Sequence, residues 1–215
     1  MLFRSQPKTA STTIGIGSAA SGTLSLDDTE LGRLVDGFSS ITIGSTTGTG
    51  AIAVAYTTPY TFLDPLTIRS NTSGGGAISA TSALNTGANS LTITTGGAVS
   101  TVAITSGTLA ITGTGITLNG DVTTSGTQSY TGAVTLGADV TLASTGNAST
   151  GNDISFSSTI NGAKAFTVNA GVGAITFNST IGATTNLTSL SLTTSHATGI
   201  TLSGNVTTTG SQAYN

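Results

Sequence analysis

The sequence predicts an all-β fold, a single-stranded parallel β-helix (solenoid), with one short helix near residues 27–37. Three observations carry that expectation. Thr, Ser and Gly supply 105 of the 215 residues, and only 6% of the chain is charged. An apolar–hydroxyl–apolar tripeptide recurs along the chain, eight copies of it at steps of 18 to 25 residues, and a longer unit of 84 residues is then partly repeated. Thr is stiff at χ1 and suits a pleated strand, whereas Ser and Gly suit turns, so the composition favours strands and corners over helices. A compact domain ordinarily carries about 25% charged residues. Here hydroxyls must cover the surface instead.

Taken in chain order, the first residues stand apart. Leu2-Phe3-Arg4-Ser5 resemble the translated end of a sequencing-library adapter. Residues 1–11 are therefore expected to be a non-native or disordered start, with the β-helix over 12–215. Next, Leu31, Leu34, Val35 and Phe38 fall at i, i+3, i+4 and i+7, Asp27 and Glu30 have capping-box spacing, and Gly37 lies near the end of the run. This short amphipathic segment holds five of the thirteen charged residues (Asp27, Asp28, Glu30, Arg33, Asp36). It is expected to pack across a coil or cover an exposed edge.

The tripeptides begin at Ile41, Leu66, Leu91, Ile116, Val134, Ile154, Ile175 and Ile200, in steps of 25, 25, 25, 18, 20, 21 and 25. Period-two alternation turns both apolar residues of each tripeptide to one face and its hydroxyl to the other. A unit this short cannot bury its apolar face alone, whereas stacking units at about 4.8 Å buries it continuously. The expected core ladders are Ile116, Val134, Ile154, Ile175, Ile200 and, beside them, Leu118, Leu136, Phe156, Phe177, Leu202. Thr117, Thr135, Ser155, Thr176 and Thr201 are expected outside. A second strand per coil, marked by Val122, Val140, Ile160, Ile181 and Val206, follows corners such as Asn119-Gly120-Asp121 and Ser203-Gly204-Asn205. Gly115–Thr131 matches Gly199–Asn215 at 11 of 17 positions, an offset of 84 residues. The chain stops partway into the next copy, so a fragment truncated at both ends is expected.

Two stretches carry a family resemblance. One is Leu24-Ser25-Leu26-Asp27 with Glu30-Leu31 and Gly37-Phe38-Ser39-Ser40-Ile41-Thr42-Ile43-Gly44. The other runs from Asp121-Val122-Thr123-Thr124 through Gln128-Ser129-Tyr130 to Gly132-Ala133-Val134-Thr135-Leu136-Gly137-Ala138-Asp139. They resemble very large bacterial secreted or surface β-strand-repeat proteins of the filamentous-haemagglutinin and autotransporter-passenger adhesin type. The resemblance spans roughly residues 12–215 and is specific for repeat type but weak for activity. It implies a right-handed shaft, export across the outer membrane, and a role as adhesin stalk or extracellular matrix filament. Host or neighbouring-cell surface glycans or proteins are the implied partners, bound through parts of the parent protein. It brings no catalytic residues.

Other function classes are constrained by composition. A net charge of −3 with five Lys and Arg leaves no basic stripe for nucleic acid. The apolar run Ala51–Tyr56 is far short of the roughly 18 residues of a membrane helix, so no transmembrane segment is expected. There is no cysteine, and His196 is the only histidine, which reads as a surface turn residue rather than a metal ligand. No catalytic, cofactor or metal site is expected. Gly74-Gly75-Gly76 lacks the acidic context of calcium-binding repeats and reads as a flexible corner.

Two rival functions remain. A carbohydrate-active β-helix enzyme would need paired carboxylates. Asp121 and Asp139 each follow a tripeptide start by five positions, which would set them about 5 Å apart on adjacent coils. Their turn setting, without an aromatic or basic cluster to hold sugar, makes ordinary turn residues the preferred reading, ahead of a calcium bridge and of catalysis. Ice binding would need paired hydroxyl columns. The register beside the first column reads Thr123, Thr141, Asn161, Gly182, Thr207, and its interruption ranks ice binding last. The sequons at Asn71, Asn147, Asn178, Asn186 and Asn205 are expected by chance in so Ser- and Thr-rich a chain.

Overall fold

The computed structural model describes residues 2–144 and 152–215. Among these, Asp28–Leu31 is the single α-helix, and the strands pair in parallel throughout. They form a strongly curled 15-stranded sheet and a 7-stranded sheet, an all-β architecture compatible with a parallel β-helix.

The pairings fall into three columns. The first stacks Leu2–Ser5, Ser40–Gly44, Leu66–Arg69, Leu91–Thr94, the leading halves of Leu109–Leu118 and Gln128–Leu136, then Ile154–Phe156, Ile175–Phe177 and Ile200–Leu202. The second stacks Leu24–Leu26, Ile14–Ile16, Ile52–Val54, Ile78–Ala80, Ala98–Thr101, the trailing halves of the two long strands, and Ile160–Asn161. Single bridges continue it through Ile181 to Val206. The third is the smaller sheet, from Leu84–Asn85 through Ile104–Ser106, Val122–Thr124, Val140–Ala143, Ala165–Gly171 and Ser189–Thr194 to Gln212–Tyr214. The large sheet curls because Leu109–Leu118 and Gln128–Leu136 belong to two columns, with a register shift between Thr112 and Gly115 and a positive φ of 136° at Gly132. At Gly132 a Cβ would lie 2.1 Å from the Gly113 carbonyl oxygen, so the bend requires glycine twice over.

Alternation within each strand fills the core. The first-column strands Leu66–Arg69 and Leu91–Thr94 bury Leu66, Ile68, Leu91 and Ile93 and leave Thr67 and Thr92 half-exposed. Further along, Tyr130, Phe156 and Phe177 stack with ring centroids 4.8 Å apart in both pairs and interplanar angles of 7° and 4°. That separation is the strand spacing itself, so the rings repeat the ladder of the backbone.

The eight tripeptides occupy two columns rather than one. Ile116–Leu118 and Val134–Leu136 lie in the second column, where Val134 is opposite Ile160. Ile154 is opposite Gln128 in the first. The observed first-column ladder is therefore Leu91, Leu109, Gln128, Ile154, Ile175, Ile200, accompanied by Ile93, Ile111, Tyr130, Phe156, Phe177, Leu202. The slip arises where successive first-column strands lie closest in sequence: Leu109-Ala110-Ile111 lacks the hydroxyl and Gln128-Ser129-Tyr130 lacks an apolar first residue, so neither shows the pattern. Val122 and Val140 belong to the third column, whereas Ile160, Ile181 and Val206 belong to the second. The 84-residue duplication is likewise displaced by a column, because Ile116 lies in the second and its counterpart Ile200 in the first.

The helix is shorter than the 27–37 the periodicity suggests. The capping box forms, with Glu30 N–H donating to the Asp27 carboxylate at 2.7 Å and Asp27 N–H to Glu30 at 3.0 Å. Gly32 then caps the single turn, and Arg33 and Leu34 bond back three residues instead of four. Three residues per turn aligns Leu31 with Leu34, both buried, and rotates Val35 outward to 65% exposure. At the start, Leu2–Ser5 forms a strand on Ser40–Ile43, with Phe3 edge-on to Phe38 at 5.8 Å.

Candidate functional site

Asp121 and Asp139 do not share a register. Asp121 sits one residue before the strand Val122–Thr124, whose Val122 is opposite Leu142, and its carboxylate accepts the Thr141 amide at 2.8 Å. Asp139 accepts the Ala165 amide at 2.9 Å, one coil further on. Asp153, which the sequence did not single out, accepts the Ala174 amide at 2.8 Å in the same way. Each carboxylate extends a parallel ladder by one hydrogen bond across to the neighbouring strand, which satisfies an amide at that strand's entrance. An Asp directly before an apolar–hydroxyl pair, as in Val122-Thr123, Val140-Thr141 and Ile154-Ser155, is the signal in the sequence for this role.

His196 occupies a turn, where Nδ1 accepts the Thr198 amide at 3.0 Å and the backbone N–H donates to Thr194 Oγ1 at 3.0 Å. No group of three His, Cys, Asp or Glu among the described residues is arranged to hold a metal ion. Gly74-Gly75-Gly76 is a corner built for close approach rather than flexibility: a Cβ on Gly75 would meet the Asn71 carbonyl at 2.1 Å, and Gly76 N–H is held by Ser70 Oγ at 3.1 Å. Asn178, Asn186 and Asn205 are exposed and Asn71 half-exposed, while Asn147 lies outside the described residues.

Several grooves mark the outside of the described residues. One of about 400 Å³ is lined by Thr13, Ser21, Thr23, Ala53 and Ser79, with no titratable side chain. Another of about 200 Å³ is lined by Arg4, Gln6, Thr42, Ser45, Thr46 and Arg69. Neither holds a carboxylate pair or a nucleophile with a base.

One buried polar network was not foreseen. Gln128 and Tyr130 face the core; the Tyr130 hydroxyl donates to Gln128 Oε1 at 2.8 Å, and Gln128 Nε2 donates to Thr124 Oγ1 at 3.2 Å and the Ala143 carbonyl at 3.0 Å. Burial pushes the Tyr130 phenol well above its ordinary range. The same bonds recur near the end of the chain among Thr208, Gln212 and Tyr214, at 3.2 and 2.7 Å, but there Tyr214 is 44% exposed.

The corrected register assembles a surface that the sequence reading dispersed. Along the outside of the first column run Thr92, Ala110, Ser129, Ser155, Thr176 and Thr201. Two residues further on in the same strands run Thr94, Thr112 and Thr131. Ser157, Asn178 and Ser203 continue that line, each donating its amide to the preceding coil, at Tyr130, Phe156 and Phe177. All twelve side chains are exposed or half-exposed. Ten are hydroxyls, of which, among the described residues, only Ser155 and Ser157 are engaged with other parts of the chain. No protein-family model, curated protein or solved structure matches this chain.

Proposed function

We propose that the three columns close into a right-handed, single-stranded parallel β-helix, and that the chain is a structural and adhesive shaft segment. It belongs to a large exported bacterial repeat protein, an adhesin or extracellular matrix filament, secreted or held at the cell surface, without catalysis of its own. Surface glycans or proteins of a host or neighbouring cell bind other parts of that protein.

The observation that carries this reading is the unbroken first column, in which eight parallel pairings link nine strands. Each strand between the ends spends its backbone groups on the coil before and the coil after, so the stack is stiff along its axis and leaves proteases few extended segments to seize. Hydroxyls keep the outside wet without charge. The carbohydrate-active rival is weakened because Asp121 and Asp139 are committed to backbone amides and lie two positions out of register.

Proteolysis combined with a substrate panel tests the reading. The native chain is expected to survive proteinase K at concentrations that digest a compact domain of equal size. It is also expected to release no sugar from neutral or acidic polysaccharides. Rapid cutting within the columns removes the shaft. Polysaccharide turnover that is abolished in an Asp121→Asn, Asp139→Asn variant establishes the enzyme instead.

A further inference from the structure

We infer that the two-column hydroxyl face of the first column binds an ordered water lattice, the surface of an ice crystal. This activity is independent of export or of a shaft role. The warrant is periodicity in two directions. Neighbouring coils repeat at about 4.8 Å, and residues two apart on one strand at about 6.6 Å, so Thr92 to Ser203 form a net of six rows by two columns. A hydroxyl offers one donor and two acceptor sites, and eight of the ten here have none spent within the chain. Each holds a water at about 2.8 Å, and because the hydroxyls sit on a hydrogen-bonded sheet, those waters inherit its spacing.

Rigidity favours the same partner. Six of the ten hydroxyls belong to Thr, whose branched Cβ restricts χ1, so the oxygens are ordered before contact. The twelve positions carry no charge; the first guanidinium met is Arg69, opposite Thr94 on the preceding coil. Nothing on this face therefore gathers the irregular hydration of an ion. The other two columns carry less of the pairing, which in the third is met in rows such as Ser191 with Thr193. Beside Ser100, Thr117 and Thr135 in the second column run Ala98, Gly115 and Ala133, and in the third Thr123 is followed by Ala143. A soluble ligand would engage one or two rows, whereas six stacked rows, four of them with hydroxyls at both positions, match a partner that is itself periodic. A crystalline polysaccharide is also periodic, but sugar rings need an aromatic platform. The one exposed large aromatic among the described residues, Tyr214, lies in the third column.

The test uses the intact 215-residue chain, with thermal hysteresis and partition into a growing ice hemisphere as readouts. Expected are faceted ice crystals and a freezing gap above that of an equimolar lysozyme control. Thr112→Lys and Thr131→Lys, at the centre of the face, should each cut the gap at least threefold while retaining the circular dichroism and melting of the parent. Thr123→Lys, on the third column, should leave it unchanged. If neither lysine variant folds, the near-isosteric Thr112→Val takes their place, with the same expected loss. A parent with neither hysteresis nor enrichment in ice overturns the inference, as does a folded face variant that matches the parent. Retention on crystalline cellulose or chitin without ice activity assigns the face to polysaccharide and overturns it equally.

Discussion

Asp28 shows how a single carboxylate ties the N-terminal segment to the body of the chain. It accepts the Ser18 amide at 2.7 Å, the Thr57 amide at 3.0 Å and the Thr57 hydroxyl, and these bonds, the Thr57 hydroxyl foremost, hold its pKa down to about 2. The folded pKa lies below the unfolded one. The stabilisation is therefore complete above the unfolded value of about 3.9 and disappears as the pH falls through the folded value. Hydrogen exchange should show protection of the Ser18 and Thr57 amides falling between pH 4 and 2 in the parent but not in Asp28→Asn; undiminished protection at pH 2 would contradict the clamp. Tyrosine supplies a second comparison within one chain. Tyr130 and Tyr214 make the same hydroxyl bond to a Gln two residues earlier, but Tyr130 is 1% exposed and stacks on Phe156. Truncating Tyr130 to Ala should cost about 3–5 kcal/mol in urea unfolding, since removing a buried ring leaves a cavity and a Gln128 Oε1 without its donor. The same change at Tyr214 should cost less than about 1 kcal/mol. Equal losses would show that the sequence motif, rather than its burial, sets the energy.

At the scale of the strand, alternation and turn chemistry were legible from the residues, but column membership was not. Ile41, Leu66 and Leu91 announce the first column plainly, and their structural register is the one their 25-residue steps imply. The reading fails between Leu109 and Leu136, where one strand rounds the bend and serves two columns. A strand's inside-outside pattern has period two whichever column it joins, so Ile116 and Val134 look no different from Ile154. Only pairing partners separate them. That ambiguity also hid the candidate face, whose second line was sought in Thr123 and Thr141 of the third column and Asn161 of the second. Engineered disulfides decide the register directly. Thr135→Cys with Asn161→Cys places two outward residues directly opposite, within the roughly 4.4–6.8 Å Cα separation of a disulfide, and should cross-link on mild oxidation. Thr135→Cys with Ser155→Cys spans two columns and should remain reduced. The reverse result would restore a single ladder running from Ile116 to Ile200.

Over the whole molecule, sparse charge and continuous stacking determine how stability responds to solvent. With 6% of residues charged and a net charge of −3, neither long-range repulsion nor a dense ion-pair network is available to be screened. What holds the columns is apolar burial, from Ile14 to Leu192, together with hydrogen bonds between paired strands. Both are local to neighbouring coils, and neither depends strongly on simple salt. Raising NaCl from about 0.05 to about 0.5 M should therefore shift the melting temperature by no more than about 2 °C, because exposed charges contribute little and the Debye length falls from about 14 to about 4 Å. Sodium sulfate at equal ionic strength should raise it further, since an excluded salt strengthens burial of the Ile, Leu and Phe ladders. Melts followed by circular dichroism in the two salts separate the contributions. A fall of many degrees in NaCl would mean that the few charges, concentrated around Asp27, Asp28, Glu30 and Arg33, hold the N-terminal segment on and govern the stability of the stack behind it.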